Sequence, residues 1–138
     1  MKFFAVIDTN VLVSAMLKWD SVPGNILQLT ISGIVTPVLN DEIPKEYREV
    51  LRRKKFHFSD EIIDAVLNGI MSQAVFVREE NLGISLPDPK DIVFYEVTMD
   101  ERKIEDAFLV TGNIKHFPTK PYVVTPRQFM EIILEKLT

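Results

Sequence analysis

The sequence predicts an α/β protein, a three-layer α/β/α architecture around a central, mostly parallel sheet. Three observations carry that expectation. The chain opens on an unbroken apolar run, FFAVI, whose aromatic and β-branched members suit a strand buried on both faces. Segments of strand character then alternate with segments of helical periodicity, as strands joined through crossover helices do. At 138 residues, 46% hydrophobic and 26% charged, the chain has the size and balance of one globular domain spanning residues 1–138. A chain of that length buries roughly two-thirds of its unfolded surface, enough for a core without staples.

Taken in order, the first strand covers about residues 2–8 and ends on Asp8. TNVLVSAMLKW follows as a short helix, with Val11, Leu12, Ala15 and Met16 on its apolar face. Pro23 suits the first turn of a second helix, GNILQLTIS. GIVTPVL reads as a short strand whose proline suggests a sheet edge or an early exit. NDEIPKEYREVLRRKKF is a helix with acids in its first half and bases in its last, as the macrodipole prefers. Ser59 and Asp60 open another helix through about Met71. AVFVR is a strand and NLGISLPDPK a loop. DIVFYEVTMDERK is a helix by its length, DAFLVTG a buried strand and YVVT a last short one. Thr125 and Pro126 cap and start the closing helix, RQFMEIILEKL.

Composition excludes several functions. With no cysteine, there are neither disulfides nor thiolate metal sites, which fits a reducing compartment. No apolar stretch approaches the roughly 20 residues that span a bilayer. The N-terminus, with one lysine and a very short apolar run ending in aspartate, makes a poor signal peptide. The expectation is a cytoplasmic protein without a membrane partner. A net charge of -4 argues against a large nucleic-acid-coating surface but not against an enzyme of nucleic acids. No G-x-G-x-x-G follows the first strand, so dinucleotide binding is disfavoured. Asn10, where a second acid would stand, disfavours a phosphatase with an aspartyl nucleophile.

Acids or amides fall at four element ends. Asp8 closes the first strand, where ligands of open α/β sheets gather. Glu46 borders the buried face of its helix beside Tyr47, Val50 and Leu51. Asp91 begins a helix, and Asn113 lies just past the strand AFLVT, after Gly112. If the four converge, they form an oxygen-ligand cluster suited to Mg²⁺ or Mn²⁺. Two carboxylates about 4 Å apart repel by roughly 4 kcal/mol at an effective dielectric of 20. Three crowded acids therefore need a cation, or one keeps its proton. Simpler roles stay open: a helix cap for Asp8, a solvated glutamate for Glu46 as for Glu42 and Glu49, and an N-terminal charge preference for Asp91. Asn113 could be a turn residue with positive φ, and Asp88 a turn-forming Asp-Pro. His57 and His116 are too few for a histidine metal site. Trp19 and the phenylalanines belong to the core or to an oligomer face.

VIDTNVLVSA, EYREVLRRKKF, DPKD, FLVTGNIKHFP and TPRQFMEIILEKL together resemble the PIN-domain family. More narrowly, they resemble the toxins of prokaryotic toxin–antitoxin systems. DTN alone is common, but the ordered set covers nearly the whole chain. The resemblance implies a Mg²⁺- or Mn²⁺-dependent ribonuclease with Asp8, Glu46 and Asp91 as metal ligands. It also implies an antitoxin partner and a homodimer. Thr9, Asn10, Ser14 and Thr111 would surround the ligands, Thr9 and Asn10 by orienting Asp8. The family pattern has a further aspartate after the strand-ending T-G; Asn113 stands there, with a carbonyl oxygen but no charge. That departure supports an alternative, a PIN-like nucleic-acid or protein-binding module with weak or no catalysis. Arg52, Arg53, Lys54 and Lys55 are either a solvated helix end or contacts for RNA phosphates.

Overall fold

Residue alternation in the first strand sets the layers. A computed structural model describes residues 2–78 and 83–138. Strand β1 (Phe3–Ile7) sends Phe4 and Val6 to one face of the sheet and Phe3, Ala5 and Ile7 to the other. Helices α1 (Thr9–Leu17) and α2 (Val22–Ile31) lead to β2 (Val35–Leu39). Then come α3 (Ile43–Leu51), a 3-10 turn at Lys54–Phe56, α4 (Asp60–Gln73) and β3 (Val75–Phe76). A 3-10 turn at Pro89–Asp91 runs into α5 (Ile92–Glu101), followed by β4 (Ala107–Val110). A third such turn (Ile114–His116), β5 (Val123–Val124) and α6 (Pro126–Leu137) complete the chain.

All strand pairings are parallel, in the order β3-β2-β1-β4-β5. Tyr47 and Leu51 of α3, Ile63 and Leu67 of α4, and Phe94 and Val97 of α5 share one core with Val6. Ile26 of α2 and Phe129 and Ile133 of α6 pack with Phe3, Ala5 and Ile7 in the other. The architecture is the three-layer α/β/α expected. The order reverses beside β1, so the switch-point crevice opens at the carboxyl ends of β1 and β4. Among the described residues, no helix is long and apolar enough to cross a membrane.

Two expectations need correction. β2 is not an edge strand, because β3 pairs outside it from Val38 onward. Pro37 is tolerated because its backbone faces the same side as Leu39, whose carbonyl accepts from Val77 of the β3 side, and β3 begins only beyond Pro37. The helix read through RRKKF stops at Leu51, and Arg53 turns extended at φ -61, ψ 132. Phe56 and Phe58, their rings stacked with centroids 5.9 Å apart, fold back against the core and draw the chain off the helix axis. Of the two readings of Trp19, core or oligomer face, its 46% exposure removes the first and leaves the second untouched. Of the loop NLGISLPDPK, residues 81 and 82 lie outside the described residues.

Candidate active site at the switch point

Asp8 sits at the N-cap position of α1, yet its side chain makes no capping bond. Asp8 caps the helix by position, its backbone carbonyl accepting from the Val11 N–H at 3.0 Å, while its carboxylate turns elsewhere. The Asp8 N–H donates to the Val110 carbonyl at 2.9 Å, prolonging the β1–β4 ladder by one residue. Its carboxylate turns toward the β4 exit, where Oδ2 accepts from Thr111 Oγ1 at 2.7 Å and from Asn10 Nδ2 at 3.3 Å. Thr111 Oγ1 in turn accepts from the Asn113 N–H, and Asn10 Oδ1 accepts from the Gly112 N–H. Two neighbouring strand ends are thus laced together around one carboxylate that is only 5% exposed. Burial lifts the Asp8 pKa from 3.8 to about 6; the Thr111 bond opposes this, while the charges of Asp91 and Glu46 add to it.

Those two acids come from other elements. Glu46 projects from α3 and accepts from Thr9 Oγ1 at 3.1 Å. Its neighbour Tyr47 is buried and donates its phenol proton to the Ile7 carbonyl, pinning α3 to the residue before Asp8. Burial raises the Tyr47 pKa, with Asp8 and Glu46 adding to the effect. Asp91 ends the 3-10 turn ahead of α5, and its Oδ2 lies 3.4 Å from His116 Nδ1. Its pKa is raised by burial and by Asp88, against the pull of the His116 bond. Asp88 itself accepts from the Lys90 N–H at 3.0 Å, which makes it the cap of that turn.

Thr9, Asn10, Ser14, Glu46 and Asp91 line one open cavity of about 530 Å³. Arg53, Phe56 and Lys90 line it too. Gly112 and Asn113 line an adjoining cavity, and Asn10 and Ser14 border both. Asn113 has φ -125, so the positive-φ turn reading fails. The basic run divides. Arg53 faces the acids, whereas Arg52 lines a groove between α3 and α4 and pairs with Asp60 at 3.3 Å. Lys55 lies over the Phe56 ring, 5.1 Å from its centroid. Lys54 lies in the intervening turn. Sequence reasoning passed over Lys90, Phe56 and the Tyr47 clamp. The only signal for the clamp was a tyrosine following the glutamate of EYREVL.

The donor set of Asp8, Glu46 and Asp91 is all oxygen and mutually repulsive, which fits the chemistry of a hard divalent cation. Among the described residues, no three acids or histidines are gathered tightly enough to form a ready-made metal group. Thr111, Thr9 and His116 hold the three carboxylates instead.

A parallel sheet reversing beside its first strand, with a buried acid at the reversal, defines an α/β protein with a switch-point carboxylate site. The PIN domain family model matches residues 5–115, and the chain belongs to that family. At the family level this makes it a nuclease-type module, of a kind that generally uses divalent metals. No curated protein and no solved structure gives a match.

Proposed function

We propose that this chain, acting as one domain over residues 1–138, is a Mg²⁺- or Mn²⁺-dependent endoribonuclease, the toxin of a toxin–antitoxin pair. It would work in the cytoplasm as a homodimer. Family membership supports the nuclease chemistry. The observation that carries the site is Asp8, its pKa lifted to about 6 by burial with Asp91 and Glu46 pressing on it from two other elements. Asp8, Glu46 and Asp91 would hold the cation, with the Asn113 amide oxygen as an uncharged neighbour. When bound, a divalent ion supplies a nucleophilic water at neutral pH and offsets the charge developing on phosphate. The chain's own residues do the positioning. Thr111 and Asn10 orient Asp8, Thr9 orients Glu46, and His116 orients Asp91. Arg53 and Lys90 offer positive charge to a phosphate in the same cavity. Ser14 supplies a hydroxyl on the wall toward Asn113.

Purified protein incubated with single-stranded and structured RNA tests this reading. Cleavage should require Mn²⁺ or Mg²⁺, stop with chelator, and fall at least a hundredfold in Asp8→Asn and Asp91→Asn. Products should carry 5′-phosphate and 3′-hydroxyl ends. The second reading, a binding module, draws support from the amide at position 113 and from the protein donors that already engage each acid. Tight RNA binding without cation-dependent cleavage would favour it.

A further inference from the structure

The cavity adjoining the acids differs from it in charge. About 250 Å³ in volume, it is walled by Val11, Pro23 and Pro126, takes its polar groups from Asn10, Ser14 and Asn113, and has no charged residue among its described lining. Asn10 and Ser14 are the partition, bordering the acidic cavity on their other side. Two carboxamides therefore face the neutral space, and they differ in what they have left to offer. Asn10 is engaged at both ends within the protein: its Nδ2 donates to Asp8 and its Oδ1 accepts from the Gly112 N–H. Asn113 is held by its backbone instead. Its N–H donates to Thr111 Oγ1 at 3.0 Å, and its carbonyl accepts from the His116 N–H at 2.9 Å. Its side chain caps nothing, and among the described residues neither that carboxamide nor the Ser14 hydroxyl bonds another protein group. The backbone is fixed while one amide N–H₂ and one carbonyl oxygen stay free, side by side in a plane.

Chemistry selects what enters such a space. A phosphate finds no cation there, and a metal ion no carboxylate. Apolar walls with a few placed polar groups suit a small, flat, neutral ligand. The volume falls just short of the roughly 300–1,000 Å³ of pockets for drug-sized molecules. When a phosphodiester lies on the acids, the neutral group that reaches past Asn10 and Ser14 is a nucleobase. We infer that this pocket takes one nucleobase beside the scissile phosphate and that Asn113 reads it, with adenine preferred. A carboxamide donates and accepts along one edge, and adenine presents the matching pair, its N7 acceptor beside its N6 donor. Pro23 and Pro126 give the faces of the base apolar surface to lie on. Where the family pattern has an aspartate, which only accepts, the amide at position 113 adds a donor and with it the means to discriminate. The choice of a nucleobase rests on the nuclease reading; the neutrality of the pocket and the free amide do not.

The test uses nucleosides, which carry no phosphate and need no cation. In chelator, isotope-labelled protein is titrated with adenosine, guanosine, cytidine and uridine up to millimolar concentrations. NMR follows the backbone amides of Ser14, Gly112 and Asn113 and the side-chain N–H₂ of Asn113. Adenosine should shift these signals to saturation and bind about tenfold more tightly than uridine, within the discrimination that one bidentate pair supplies. Asn113→Ala should level the four nucleosides. Asn113→Asp, with an acceptor-only edge, should move the preference to cytidine, whose N4 donates. A side chain that merely shaped the pocket would not exchange one preference for another. Position 113 is exposed, so both variants should fold, with amide spectra unchanged away from the pocket as the check. Equal shifts with all four nucleosides, shifts confined to other regions, or no shifts would overturn the pocket. Asn113→Asp weakening all four alike would overturn it as well. Adenosine bound here by a protein that never cleaves RNA with Mn²⁺ would sink the nuclease reading and keep the pocket. Cation-dependent cleavage without nucleoside binding would do the reverse.

Discussion

Asp8 imposes opposing demands on the fold. Its folded pKa of about 6 lies above the value of 3.8 that the unfolded chain would have. Between those values the folded state binds more protons, so stability falls as pH rises through the window. The full cost, at most about 3 kcal/mol at 1.36 kcal/mol per pKa unit, is present above pH 6 and vanishes below pH 4. In cation-free buffer, Asp8→Asn should therefore be more stable than wild type at pH 7.5 and nearly equal at pH 4, read by urea midpoints at the two values. Equal midpoints at both pH values would mean that the carboxylate carries no burial penalty. Tyr47 gives the opposite case. Tyr47→Phe keeps the ring beside Phe94, their centroids 6.4 Å apart, but leaves the Ile7 carbonyl without this donor. A buried group left unpaired costs about 1–3 kcal/mol, so the urea midpoint should fall with an unchanged m-value.

At the scale of elements, what could be read in advance depended on whether the signal was local. Ser59 and Thr125 cap α4 and α6 as read, and Thr125 completes a capping box with Gln128. Caps and first-turn prolines are chosen by the backbone within four residues, so the sequence displays them. The end of α3 was not legible, because it is set by Phe56 and Phe58 packing onto the core rather than by any residue at the helix end. Pro37 misled for a similar reason. Its tolerance depends on where β3 begins, a fact about a strand some forty residues away. In the site, the position of Asp8 at a strand exit was legible, whereas its bond from Thr111 spans 103 residues and leaves no local trace. The same distinction ranks two substitutions. Thr125→Ala loses a local cap and should cost about 1 kcal/mol. Gly24→Ala would set its Cβ 1.9 Å from the Trp19 carbonyl oxygen, a backbone clash that α2 can relieve only by shifting, so about 2 kcal/mol or more is expected. Thermal melts of the two variants should rank them in that order; a harmless Gly24→Ala would refute the close approach.

For the whole molecule, cation binding by the three acids, as proposed, would tie stability to the ion. Asp8, Glu46 and Asp91 belong to β1's exit, α3 and the turn before α5, so only the folded chain can present them together. An ion that binds the folded form alone raises its stability by about 2.7 kcal/mol at a concentration a hundred times its Kd. At roughly 2–4 °C per kcal/mol for a chain of this size, the melting temperature should climb by about 5–10 °C with saturating Mg²⁺ or Mn²⁺. Chelator should reverse the rise. Protons compete for Asp8 below its pKa of about 6, so the rise should be larger at pH 7.5 than at pH 5. Asp8→Asn should lose most of it at both, having neither the charge to relieve nor the ligand to offer. Melting temperatures indifferent to either cation, up to millimolar concentrations at pH 7.5, would leave the three carboxylates to their protein donors and remove the basis for cation-assisted cleavage.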